Sequence, residues 1–460
     1  MSLHALAWIV FFLIFAGLTF RRSSWGIPLY LLTFYANPGC WWWGAGALST
    51  IGNRWCLAAA LIFAAGVLLD KRRTTWDVGA SARPVIWVLF FYAINATLVH
   101  ILFAVCPEQS WKWLDLLWKE VGLLFLMLLA IRDEFDFKLL VYSLLVGGTY
   151  ICCEFYFFGT GYFENGRLEG IRLPSGSESS YLTQILSLSA ILGGFLIFFG
   201  RRLERLFALF CCVLLTETIL ECNSRGGLLA LLVGAAWLIA TARARVRYYA
   251  AAGVIAAACA AFAVMGDFHR EKVIGRFFTS FASDEERDPA AQSRLDFWHA
   301  ALNMIGDRPL GSGGDAFKSE LGLSYVPPAW RQYNRAAHNG YLDMAAGWGV
   351  QGLALYLAAI FLAWRRVRCG AFLVHQGGDK RSAFLGNCIE AALVVQLTAT
   401  MFLSNLKGEW YFWWIALALA YERVFAPAEE EVPDSEPTDA REEYVRNEPE
   451  LAGVTALSSR

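Results

Sequence analysis

The chain has 460 residues, 57% of them hydrophobic and only 17% charged, with a mean hydropathy of +0.43. A water-soluble enzyme carries charge on about a quarter of its residues, so this composition excludes that class and points to a bilayer protein. The formal net charge of −1 averages two unlike regions: residues 426–460 hold ten acidic and three basic side chains, a local balance of −7 that leaves +6 for residues 1–425. No extended basic face is offered to nucleic acid, and the acidic segment repels it.

A helix needs about 20 apolar residues to cross roughly 30 Å of hydrocarbon. Clear runs fall at 2–20, 85–105, 139–158, 181–199, 206–220, 226–240, 248–265, 344–364, 383–403 and 410–421. Weaker ones are 25–43, interrupted by Asn37-Pro38-Gly39, then 55–69, and 116–131 with Lys119 and Glu120 near its start. The expectation is an all-α polytopic membrane protein of twelve or thirteen spans. The first run lacks the basic flank and small-residue cleavage site of a signal peptide and is expected to be a retained helix.

Basic residues of short loops stay cytoplasmic. They cluster at Arg21-Arg22, Lys71-Arg72-Arg73, 132–138, 201–205, 243–247 and 365–381, alternating with the connections 37–54, 106–115, 159–180, 221–225, 266–337 and 404–409. The second set is therefore expected on the far side. Counting every span puts the amino terminus there too, whereas a broken hairpin over the first two runs puts it inside. The organisation expected is membrane helices over 1–265, one large periplasmic loop over 266–337, further membrane helices over 338–425, and an acidic, Pro-bearing cytoplasmic tail over 426–460 without packed structure. In the large loop, Leu295, Trp298, Leu302 and Ile305 at helical spacing predict an amphipathic helix opening near Ser293, ended by Pro309-Leu310-Gly311.

Eleven cysteines include no Cys-x-x-Cys pair and mostly fall in apolar runs, so neither a zinc site nor a disulfide frame is expected. Three features converge on the far side. In Asn223-Ser224-Arg225-Gly226-Gly227, Asn223 or Ser224 can cap a helix, leaving free N–H groups and a positive dipole end beside a guanidinium, a mouth suited to phosphate. Arg225 alternatively snorkels to the interface or pairs with Glu221. His338 in Ala337-His338-Asn339-Gly340 stands at a helix start, where the dipole disfavours imidazolium and leaves a neutral base; the alternative is a histidine satisfied by a carbonyl. Its spacing from His269 and His299 makes no metal triad. Arg167 and Arg172, in a Gly-rich loop with Glu164, Glu169 and Glu178, either gather a diphosphate or form solvated ion pairs, as do Arg276, Arg294, Arg308, Arg331 and Arg335. Within spans, Glu154, Glu217 and Glu390 are each a functional or a structural-pair candidate.

These residues carry a resemblance. Phe20-Arg21-Arg22 followed by Tyr35-Ala36-Asn37-Pro38, the Ser224-Arg225-Gly226 turn, Arg294-Leu295-Asp296-Phe297-Trp298, Asp307-Arg308-Pro309-Leu310-Gly311-Ser312-Gly313 and His338-Asn339-Gly340-Tyr341-Leu342 occur in an order that resembles the O-antigen ligase and polymerase superfamily over about residues 3–368. Within it the chain is most similar to the O-glycosylation ligases associated with exosortase A systems. The resemblance implies a metal-independent, cofactor-free glycosyltransferase of the bacterial inner membrane. Such an enzyme takes a glycan from undecaprenyl diphosphate and passes it to a protein or lipid hydroxyl on the periplasmic face. It implies His338 as base on the acceptor and Arg225 as a diphosphate contact; Arg167, Arg172, Arg294 and Asn339 are the expected further substrate contacts. Where many relatives carry an acidic residue nine positions past the histidine, this chain has Gly347, and Ser177-Glu178-Ser179-Ser180 replaces an acidic or Asn-rich run. The alternatives are a polymerase joining two lipid-linked glycans and a transporter of lipid-linked sugars, although no paired halves with interrupted helices are evident.

Overall fold

The computed structural model describes residues 2–46, 48–51, 54–71, 76–164, 166–174, 176–242, 247–248, 251, 289–332, 335–404 and 406–426. The expected tail, most of the expected span 248–265, and Arg276 and His269 lie outside the described residues. The architecture is all-α and polytopic. Helices α1 (Leu3–Arg21), α2 (Gly26–Tyr35), α3 (Arg54–Leu69), α4 (Arg83–Phe103), α5 (Pro107–Ala130) and α6 (Glu134–Phe158) are followed by a small hairpin, β1 (Tyr162–Glu164) against β2 (Arg167–Glu169). Then come α7 (Ser179–Phe199), α8 (Arg202–Glu221), α9 (Arg225–Thr241), α10 (Pro289–Asp307), the short α11 (Glu320–Tyr325) and α12 (Pro328–Arg331), and finally α13 (Gly340–Gln376), α14 (Lys380–Thr400) and α15 (Glu409–Phe425). Among the described residues six helices, α1, α4, α6, α7, α13 and α14, are long and apolar enough to cross a membrane, and α3 and α9 are shorter apolar helices. The other expected runs correspond to α2, α5, α8 and α15.

The interrupted run 25–43 ends as a helix at Tyr35, where Asn37 Oδ1 accepts the Gly39 amide at 2.9 Å and turns the chain. Helix α15 is buried at every residue from Glu409 to Tyr421, as expected of a helix that is apolar all round. It stands at the centre, packed by α5, α6, α13 and α14. Around the rim, Leu3, Leu13, Leu61, Leu69, Leu102 and Leu203 point outward, an apolar girdle that suits lipid rather than water.

The alternation of loops sorts the two ends. At one end Arg22 pairs with Asp133 and Asp136 at 2.6 Å, Arg132 with Asp70 at 3.5 Å, and Arg366 with Glu422 at 3.4 Å. At the other end the starts of α5, α7, α9, α13 and α15 meet. Helix α1 makes a full pass of its own: Arg22 is at the arginine-rich end while the Ser2 hydroxyl donates to the Trp43 carbonyl at 3.3 Å. The amino terminus therefore shares an end with His338.

One expectation is corrected. The buried stripe of α10 is Phe297, Ala300, Ala301 and Met304, packed on Ala316, Phe317, Val326, Ala337 and Ala346, whereas Leu295 and Leu302 are exposed. A helix stripe a quarter-turn away from the largest side chains wins because small alanines admit close approach to α13, and α10 begins at Pro289 rather than near Ser293.

Candidate functional site

The site is built where a glycine-rich strand meets a broken helix. Gly349 adopts φ 82 and ψ 165 inside α13, so the helix opens there and leaves backbone groups unpaired. Residues Pro309–Gly314 close the gap. The Ser312 amide donates to the carbonyls of Ala346 and Gly347 at 3.0 and 3.1 Å, Gly313 to Gly347 at 2.9 Å, and Val350 to Pro309 at 2.9 Å. The same strand is clamped from the other side, the Val105 amide donating to the Ser312 carbonyl and the Gly314 amide to Ser110 Oγ, both at 3.0 Å. A Cβ on Gly311 would lie 2.5 Å from the Gly349 nitrogen, so only glycine permits this approach.

At the start of α9, Ser224 is the cap: its Oγ accepts the Gly227 amide at 3.3 Å. Asn223, held at φ 45, donates through Nδ2 to the Gly166 carbonyl at 3.1 Å and so ties this turn to the hairpin loop. Arg167 reaches across to α7, its Nη2 donating to Ser179 Oγ at 2.5 Å and Ser180 Oγ at 2.9 Å, with Glu169 3.7 Å from its Nε. Ser224 Oγ in turn donates to Ser180 Oγ at 3.4 Å. Hydroxyls thus join the Arg167 guanidinium to the Arg225 turn.

His338 precedes the Asn339 cap of α13. Asn339 Oδ1 accepts the amides of Tyr341 and Leu342 at 3.1 and 3.3 Å, so its carbonyl oxygen is committed and only its Nδ2 is left to meet a ligand. His338 itself has φ 52, a left-handed conformation that costs a β-carbon residue about 1–3 kcal/mol. The non-glycine residues with positive φ among those described are Asn223, Asp315 and His338, all at this end of the bundle. Burial, followed by the charges of Arg294, Arg335, Lys318 and Arg167, pushes the His338 imidazole down to about 4. The ring is neutral at pH 7 and lies in a field of positive charge.

The Arg225 turn and His338 converge on the end of α14. A Cβ on Gly226 would sit 2.7 Å from Phe402 Cβ, and one on Gly340 would sit 2.6 Å from Thr400 Cγ2 and 3.0 Å from the Leu403 carbonyl. Arg294, on the first turns of α10, faces the same imidazole. Arg172 does not join them: it is exposed, and its charge acts on Cys40, whose thiol burial pushes up to about 11. Arg331 is committed to the carbonyls of Val326 and Ser324. The three in-span acids singled out by the sequence each have a partner. Glu154 accepts from Trp42 and Tyr150, and Glu390 accepts from Trp364 and Arg368. Glu217 is also engaged. No group of three His, Cys, Asp or Glu that could hold a metal ion occurs among the described residues.

Three site residues escaped the sequence reading. Lys318, Asp315 and Lys407 form a relay of charge, Asp315 lying 3.6 Å from Lys318 and 3.7 Å from Lys407. Lys407 Nζ also sits 3.5 Å from the centre of the Trp113 ring. The signal available was a lysine in the short connection 404–409, on the side expected to be poor in basic residues.

Fold and site together define a polytopic helical membrane protein with a cationic mouth around a neutral histidine at one end of the bundle. Residues 210–357 match the family model described as O-antigen ligase, a segment that contains Arg225, Arg294, Lys318, Arg335 and His338. The match supports the O-antigen ligase superfamily and, with it, a membrane enzyme of the glycan ligase or polymerase type. No curated protein matches the chain.

Proposed function

We propose that the protein is a glycan ligase of the inner membrane, close to the exosortase A-associated O-glycosylation ligases, that transfers a glycan from undecaprenyl diphosphate to an acceptor hydroxyl on the periplasmic face. The observation that carries this reading is that the Arg225 turn and His338 meet at the end of α14, with the ring held neutral by burial and by the positive charges of Arg294, Arg335, Lys318 and Arg167. Guanidinium and ammonium groups at one mouth suit a diphosphate, and a neutral imidazole beside them suits a hydroxyl proton. In this reading the arginine-rich end is cytoplasmic and the histidine end periplasmic.

The chemistry asks for three things. The diphosphate leaves with the developing charge dispersed by Arg225, Arg167 and Arg294, together with the amides of the α9 start. His338 accepts the proton of the acceptor hydroxyl as oxygen attacks the anomeric carbon. Holding donor and acceptor at one mouth removes most of the entropic barrier to their meeting. Arg172, turned toward Cys40, contributes at most to long-range attraction of the anion, and Asn339 offers its Nδ2.

The test is transfer by purified protein supplied with a defined lipid-linked glycan and either a protein, a lipid core or a second lipid-linked glycan. Product on the protein or lipid supports a ligase; lengthened lipid-linked glycan alone makes it a polymerase. His338→Ala is expected to abolish transfer while the protein remains folded. Full activity in that variant removes the histidine from the mechanism.

A further inference from the structure

Beneath the mouth, the interior carries polar atoms that packing does not explain. Two small cavities adjoin there, sharing Trp348 and Lys407. One is walled by Asp343, Ser404, Asp315 and the backbones of Gly314, Gly340 and Gly347; the other by Glu120, Tyr356, Tyr92 and Trp113. Two oxygens in the second of these cavities, Glu120 Oε1 and Tyr356 Oη, are buried without a hydrogen-bond partner among the described residues, while in the first the Asp343 carboxylate and the Ser404 hydroxyl face each other. Glu120 is 4% exposed and Tyr356 1%. Inside a membrane protein an unsatisfied polar atom costs several kcal/mol, and a polar cavity with two to four such partners is where internal water is held.

We propose that the two cavities hold a short file of internal water, joined at Lys407, that carries protons between Glu120 in the middle of α5 and Asp343 beside the His338 mouth. The groups facing Glu120 are Glu409, which accepts from Tyr30 at 3.0 Å, the phenols Tyr92 and Tyr356, and Lys407. Those facing Lys407 are Asp315, Asp343 and Lys318. Glu120, Glu409 and Asp343 around the one buried ammonium of Lys407 hold more negative charge than a low-dielectric space tolerates, and a proton that arrives and leaves through water balances it. Resting on the reading of His338 as base, the proton taken from the acceptor hydroxyl passes from the imidazolium to this file and on to a carboxylate. No other co-reactant is required.

Radiolytic labelling of the full-length protein in detergent with H2(18)O tests the water directly. Tyr356, Trp348 and Met344, which line the cavities or abut them, are expected to label about tenfold faster than the equally buried Trp413, Trp414 and Tyr421. Equal rates overturn the file, whatever the enzyme's activity. Glu120→Gln tests the proton role: it keeps a polar side chain but removes the titration, and is expected to lower kcat and change its pH profile with the donor KM unchanged. A kcat–pH profile identical to wild type, in a variant that still labels at Tyr356, overturns proton carriage. Tyr356→Phe, a smaller perturbation, is expected to slow labelling at Trp348 and serves where Glu120→Gln does not fold.

Discussion

Asp343 Oδ1 accepts the main-chain N–H of Ala337 at 3.2 Å, so the residue before His338 is tied to the helix that follows it. The bond spans the left-handed turn and fixes the direction in which the imidazole leaves the backbone. Asp343→Ala removes the acceptor, and Asp343→Asn keeps an oxygen at the same atom. The alanine variant is expected to lose about tenfold more kcat than the asparagine variant, the order of effect of a lost hydrogen bond to a charged group. Equal losses in the two would show that the tether does not orient the histidine.

The same surroundings set a pH signature. An exposed histidine titrates near 6.5, whereas His338 is held at about 4 by burial and by Arg294, Arg335, Lys318 and Arg167. A base must be unprotonated, so the acid limb of kcat/KM for transfer is expected near pH 4, with activity from this group retained through pH 5–6. Arg294→Met removes the largest of the cationic contributions and is expected to move that limb upward, toward 6.5. Linkage runs the same way for stability: a group with its folded pKa below its unfolded one costs nothing at pH 7 and destabilises the fold as pH falls from 6.5 to 4. A wild-type limb at 6.5, unmoved by Arg294→Met, would sink the assignment.

Arg167 and Arg172 looked equivalent in sequence and are not equivalent in space. Arg167 is held by Ser179 and Ser180 facing the mouth; Arg172 is exposed beside Cys40. Arg167→Ala is expected to reduce kcat/KM by about 10²-fold, the scale of losing one preorganised donor on a developing anion. Arg172→Ala is expected to stay within about threefold, in line with the small worth of an exposed charge. Steady-state kinetics on the two variants decides, and the reverse ranking would relocate the diphosphate.

What the sequence made legible follows from which signals are local. Span periodicity and the alternation of basic loops placed the helices and the shared end of Arg225 and His338, because both depend on short-range composition. The cap at Ser224 and the interruption at Asn37-Pro38-Gly39 were readable from residue type, whereas Asn339, expected to contact substrate, caps α13. Less visible was everything set by packing between distant segments. Gly349 reads as one more glycine in an apolar run, and its role appears only when Leu310 and Gly311 arrive from forty residues upstream to complete the broken helix. The buried face of α10 was misread because large side chains were weighed above the alanines that allow contact. Lys407 and Asp315 were passed over since a lone lysine and a lone aspartate carry no pattern until the fold sets them 3.7 Å apart.

The left-handed backbone at His338 separates stability from function in a single substitution. Its φ of 52 is uncomfortable for any residue with a β-carbon, and glycine adopts it freely. If the position were merely structural, glycine would already serve it better. His338→Gly is therefore expected to leave the unfolding free energy within about 1 kcal/mol of wild type, strain relief offsetting the lost packing of the ring and the added freedom of the unfolded chain. It is expected to eliminate transfer, since the substitution removes the imidazole. Thermal unfolding in detergent, read beside the transfer assay, separates the outcomes. A variant that is inactive and less stable by several kcal/mol would mean that the imidazole packs rather than reacts, and a stable active one would take the proton elsewhere.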